Sequence, residues 1–115
     1  MTAPTFFIDN NLPPRLAVGM RGFGENFVHL KDEWPEDADD VDFLPVIGAR
    51  GWILVTKDEA MRTVKAELAA LRQHRIRAFW LGGKGMSFWS TVEQVVANYR
   101  QMKEHVDKYP GPFVF

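Results

Sequence analysis

The sequence contains no cysteine. That excludes a disulfide framework, a thiolate zinc site and a cysteine nucleophile. Long apolar runs are missing too. The best, Phe43 to Ala49, is short and holds a proline and a glycine, whereas a membrane span needs roughly 18–20 apolar residues. The opening MTAPTFF has no basic stretch, so no secretory signal is expected and the chain is expected in the cytoplasm, away from membranes. Net charge is almost absent, at −1, and by itself points to neither nucleic acid nor lipid. No internal repeat, low-complexity tract or linker is found. What is present is ordinary globular composition, 46% hydrophobic and 25% charged over 115 residues. That is the size of one domain.

The charge is unevenly spread. Residues 1–42 carry three basic and nine acidic side chains, and residues 43–115 carry eleven basic and six acidic. The acidic half centres on DEWPEDADDVD, Asp32 to Asp42, with seven carboxylates. A solvated loop explains most of such a run. The sharper reading is that a few of its members hold a divalent cation beside a polyanion.

Hydrophobic patterning gives alternating elements. Thr5 to Ile8 reads as a buried strand ending at Asp9-Asn10-Asn11. Pro13-Pro14 opens a helix with Leu12, Leu16 and Met20 on one face, ended by Gly22 and Gly24. Asn26 to Leu30 is a second strand, followed by the acidic loop. A helix over Val41–Arg50 precedes Trp52 to Thr56, the strongest strand. Glu59 to His74 reads as one helix with a stripe of Met61, Val64, Leu68 and Leu71. Arg77 to Leu81 is a fourth strand. Ser90 or Thr91 can cap a last helix, and Phe113 to Phe115 forms an edge strand. This order predicts an α/β chain: a three-layer α/β/α sandwich with a central, mainly parallel sheet of four to five strands, in a single domain over 1–115.

Ligands of open parallel sheets bind at the carboxyl ends of the strands. Two strands here run into an acid, at Asp9 and at Asp58. If those strands are neighbours, the two carboxylates repel unless protonated or bridged by a cation. Oxygen-only ligands favour Mg²⁺ or Mn²⁺. A turn-forming role explains either aspartate alone. A third carboxylate would come from the start of the Val41–Arg50 helix, where Asp39, Asp40 and Asp42 compete. Proline is harmless only early in a helix, so Pro45 favours Asp42 as the cap and leaves Asp40 free; with Asp40 as cap, Pro45 deletes a bond to Val41.

FFIDNNLPPRLA followed by DVDFLPVIGARGWILVTKD resembles the compact PIN-like domains, particularly their VapC-type toxin-like branch. Members open with a strand ending in Asp before Asn-Leu-Pro. They then carry an Asp at a helix start and a strand ending Thr-x-Asp eighteen residues later, a spacing that Asp40 and Asp58 match and Asp42 does not. The resemblance extends over nearly the whole chain. It implies a metal-dependent endoribonuclease, the toxin of a toxin–antitoxin pair, with Asp9, Asp40 and Asp58 as catalytic ligands of Mg²⁺ or Mn²⁺. Thr56 would hydrogen-bond to the site on the substrate-binding side. RNA would be the substrate, a cognate antitoxin the protein partner, and a homodimer the assembly. Many full PIN domains carry a fourth acid in the first half of the chain. Glu36 and Asp37 are the nearest residues here, and neither matches well.

An acidic cluster repels RNA, so bases must flank it. Lys57, Arg62 and Lys84 are the candidates, with Arg15 a weaker one. Lys84 sits in a glycine-rich turn whose N–H groups can meet phosphate. GGKGMS lacks the spacing of a P-loop. His29, His74 and His105 have no ligand spacing, and Ser87 and Ser90 have no nucleophile-elbow context. Trp52, Trp80 and Trp89 read as core, whereas Trp34 in the acidic loop is a candidate for base stacking. Two alternatives to a ribonuclease remain. One is an inactive PIN-like fold serving as a protein- or RNA-binding module. The other is a receiver-like phospho-switch, although Asp9 is followed by two asparagines rather than a second acid.

Overall fold

The computed structural model describes residues 4–83 and 87–115, and at Met61 and Arg62 the backbone alone. In chain order the elements are β1 (Phe6–Ile8), α1 (Pro14–Gly22), β2 (Phe27–His29), α2 (Leu30–Glu33), α3 (Asp40–Arg50), β3 (Ile53–Thr56), α4 (Ala60–Thr63), α5 (Lys65–Gln73), β4 (Arg77–Trp80), α6 (Phe88–Lys108) and β5 (Phe113–Val114). The strands form one five-stranded sheet in the order β2-β1-β3-β4-β5, with every pairing parallel.

Side-chain alternation divides the core into two layers. Phe6, Ile8, Ile53, Val55 and Phe79 pack on one face against Leu16, Ala17 and Met20 of α1 and Val95, Met102 and Val106 of α6. Phe7, Leu54 and Ala78 face the other way, against Phe43, Leu44 and Ile47 of α3 and Leu71 of α5. Helices on both faces explain why β3 is an unbroken apolar run: all four of its residues are buried. The expected α/β/α sandwich is therefore the architecture found.

Several local expectations change. The periodicity predicts one helix over 59–74, but the chain turns extended at Val64 and makes two helices, α4 and α5. Val64 is 46% exposed, so it does not belong to a buried stripe. Neither Asp42 nor Asp40 caps α3. The cap is Asp39, whose N–H donates to the Asp42 carboxylate at 2.9 Å. Asp40 is then the first helical residue, and Pro45 does leave the carbonyl of Val41 without its i+4 donor. Ser87, rather than Ser90 or Thr91, caps α6, its Oγ accepting the Ser90 N–H at 3.1 Å.

The acidic segment is not all loop. Its first turn is α2, capped by buried His29, whose Nδ1 accepts the Lys31 N–H at 3.0 Å. That leaves Nε2 as the donor to the carbonyl of Leu12, 2.7 Å away. Trp34 is partly buried against Phe7 and Phe43 instead of standing free. Trp89 is the reverse case: it lies outside the core and is 66% exposed.

Candidate active site

β1 and β3 are neighbours, with Ile8 opposite Val55. One step further along each strand, Asp9 and Thr56 come level at the carboxyl edge. The Thr56 hydroxyl donates to Asp9 Oδ2 at 2.8 Å. The other oxygen, Oδ1, accepts the Asn11 N–H at 3.1 Å. Asp9 is only 4% exposed. Burial pushes its carboxyl above the usual range, the bonds from Thr56 and Asn11 pull it back, and the charge of Asp58 pushes it up again.

Thr56 also serves the third strand end. Its Oγ1 accepts the Asp58 N–H at 3.0 Å, while Asp58 Oδ1 accepts the Ala60 N–H at 3.0 Å and starts α4. Thr56 itself is buried. With its hydroxyl engaged on both sides, it positions the acids, by the hydrogen bond to the site expected of it.

Asp40 reaches the cluster from the first turn of α3. Its carboxyl is raised to about 7, first by burial, then by hydrogen bonding to Glu67 and the charge of Glu67, with smaller contributions from Asp9 and Asp58. The three aspartates therefore share one electrostatic neighbourhood. Asp42 is engaged at the helix cap. Glu67, on α5, is a fourth acid that the sequence reading missed. Glu36 is exposed and pairs with Lys31 at 3.3 Å, and Asp37 is exposed too. No local motif marks Glu67. Only the break at Val64, which redirects α5, shows that it belongs here.

A cleft of about 530 Å³ opens at Asp58, lined also by Asn11, Lys57, Glu59, Trp80, Leu81 and Gly83. Lys57 Nζ lies 3.4 Å from Thr91 Oγ1 and 3.5 Å from the Gly83 carbonyl. Lys84 and the side chain of Arg62 lie outside the described residues. Arg15 stacks on Phe88, 4.1 Å from its ring centre.

The chain matches the family model of the PIN like domain over residues 4–83. It belongs to that family. The match covers the strands and helices that carry Asp9, Asp40, Asp58 and Glu67, and it suggests a nuclease-type superfamily. No curated protein and no solved structure matches the chain. The PIN-like assignment leaves the receiver-like alternative without support.

The donor set of this PIN-like domain, carboxylates alone, suits a hard divalent cation. Burial first, and then the neighbouring carboxylates, raise Asp40, and a positive charge nearby would offset the second contribution. Among the described residues, no three acidic or histidine side chains are grouped so as to hold one ion.

Proposed function

We propose that this PIN-like domain is a Mg²⁺- or Mn²⁺-dependent endoribonuclease of the VapC-like toxin type. It would act on RNA in the cytoplasm, be controlled by a cognate antitoxin and assemble as a homodimer. The observation that carries the reading is the Thr56 bridge at the β1–β3 carboxyl edge, whose hydroxyl donates to Asp9 Oδ2 at 2.8 Å and accepts the Asp58 N–H at 3.0 Å, with Asp40 close enough for both charges to act on it. Family membership supports a nuclease-type activity at that edge.

Asp9, Asp40 and Asp58 would hold the cation. When bound, such an ion supplies a water of lowered pKa and offsets the charge that builds on the phosphoryl group. The chain's own residues do the rest. Thr56 and Asn11 lock Asp9 in one orientation. Lys57, beside Asp58 on the cleft wall, counters the repulsion between the carboxylates and the RNA backbone.

The test is a thermal shift with Mn²⁺ alongside RNA cleavage. Wild-type protein should gain several degrees in millimolar Mn²⁺ and cut RNA, and Asp58→Asn should lose both while staying folded. Full cleavage by Asp58→Asn defeats the assignment. A second reading, a binding module without activity, is favoured by the absence of a three-carboxylate grouping among the described residues. It predicts RNA or protein binding with no Mn²⁺ shift.

A further inference from the structure

Asp9, His29, Thr56 and Thr91 are the buried polar or charged side chains among the described residues. Asp9 and Thr56 belong to the acidic edge, and His29 caps α2. Thr91 stands apart from both roles. It lies in the first turn of α6 and is only 3% exposed. Its Oγ1 donates to the Ser87 carbonyl at 3.2 Å. A hydroxyl carries one proton, so toward Lys57 the same oxygen can only accept. Lys57 Nζ, 3.4 Å away, is the donor it meets.

The Lys57 ammonium therefore rests between two neutral oxygens, Thr91 Oγ1 and the Gly83 carbonyl at 3.5 Å. Asp58 and Glu59 line the same cleft, yet neither pairs with it. Residues 1–3 and 84–86, which lie outside the described residues, include no Asp or Glu. The positive charge is thus held in place without being neutralised. Both contacts exceed the roughly 2.7–3.2 Å of a tight N–H···O bond, and an ammonium has three protons to give. It is steered to the cleft and keeps its charge and a proton for an anion there.

We propose that Thr91 is a positioning residue: through Lys57 it sets where a phosphate of the RNA backbone sits beside Asp58. The inference rests on the ribonuclease reading and adds to it the first turn of α6, which has no part in the acidic cluster. Thr91 is buried and does not touch RNA itself; it acts by aiming the ammonium. A flexible four-carbon stem lets a lysine wander, and in a cleft lined by carboxylates it would otherwise swing onto Asp58 or Glu59. Two neutral acceptors prevent that without cancelling the charge. The group recognised is the phosphodiester anion, whose contacts fix the place of a strand rather than its sequence.

The experiment uses full-length Asp58→Asn protein, so that RNA is bound without being cut. Binding of a short oligo(U) strand is followed by fluorescence anisotropy across a salt series. Thr91→Val keeps the shape and removes the hydroxyl; it should weaken binding about three- to tenfold, and Thr91→Ser should restore it. Lys57→Met should weaken binding at least as much and lower the salt slope by about 0.7. Thr91→Val added to Lys57→Met should cost nothing further, a result that a merely structural threonine would not give. Should Thr91→Val fail to fold, NMR decides: the Lys57 ε-methylene must show an NOE to the Thr91 methyl group, and RNA must shift the Lys57 Nζ signal. Unchanged affinity in Thr91→Val, an equal loss in the Lys57→Met background, or absence of either NMR effect overturns the inference and leaves the ribonuclease reading standing. No binding of RNA to protein with Lys57 and Thr91 intact overturns both.

Discussion

The Thr56 hydroxyl donates to Asp9 across the β1–β3 pair, 2.8 Å from Oδ2, with both residues buried. One side chain thereby orients an acid 47 residues away in sequence and, through its second bond, the backbone of Asp58. Thr56→Val keeps the shape and removes the hydroxyl. It leaves a buried carboxyl oxygen and the Asp58 N–H without their partner, a loss of about 1–3 kcal/mol. Thr56→Ser keeps both bonds and gives up one methyl group, at about 1 kcal/mol. Urea unfolding of the two variants should rank valine as the more damaging. Equal values would mean that the hydroxyl does not organise the site.

Asp40 and Asp9 both have carboxyls raised in the folded state, Asp40 to about 7. An unfolded aspartate titrates near ~3.9. Between those values the unfolded chain has already released the proton that the folded chain keeps. The stabilisation is therefore complete at low pH and lost as pH rises through about 7. In EDTA, the Tm difference between Asp40→Asn and wild type should grow in the variant's favour from pH 5 to pH 8. A difference independent of pH would show that Asp40 ionises freely.

Asp40 and Asp42 lie two positions apart with different work. The Asp42 carboxylate accepts the N–H of the cap residue Asp39, whereas Asp40 interacts with Glu67, Asp9 and Asp58. Asp40→Asn should therefore lower Mn²⁺ affinity tenfold or more with little cost in stability. Asp42→Asn should leave Mn²⁺ affinity near wild type and lower stability by about 1 kcal/mol through the weakened cap. Mn²⁺ titration with calorimetric readout, paired with urea unfolding, separates the two. Reversed effects would move the third ligand to Asp42.

The parallel sheet was legible because its signals are local. Continuous apolar strands, proline-opened and glycine-closed helices, and an acid after each of two strands can all be read in short windows. The third acid was legible only through its eighteen-residue spacing from Asp58 in a family pattern. Two features resisted. The helix break at Val64 carries neither proline nor glycine, and β-branching alone does not stop a helix. Glu67 follows from that break, so its place near Asp40 could not be read from the window around it. The caps failed for a related reason. Asp39, Asp40 and Asp42, like Ser87, Ser90 and Thr91, are chemically near-equivalent. Tertiary packing chooses among such residues by setting where each helix meets the sheet.

Gly48 marks where α3, which carries Asp40, is pressed against the end of α5. A Cβ at that position would collide with the His74 carbonyl oxygen and crowd Ile76 Cδ1 at 3.2 Å. The obstacle is backbone, so it cannot swing aside as a flexible side chain can. Alanine favours helices over glycine by about 1 kcal/mol, so a gain in stability is expected from propensity alone. The collision opposes it, and forced backbone shifts in packed regions cost about 1–3 kcal/mol. Gly48→Ala should therefore destabilise the domain in urea. Because α3 must then move relative to α5, it should also weaken the Asp40–Glu67 interaction and return the Asp40 carboxyl toward its ordinary range. NMR titration of the Asp40 side chain in Gly48→Ala protein provides the check. A more stable variant with the wild-type Asp40 titration would show that the two helices have room to part without disturbing the acids.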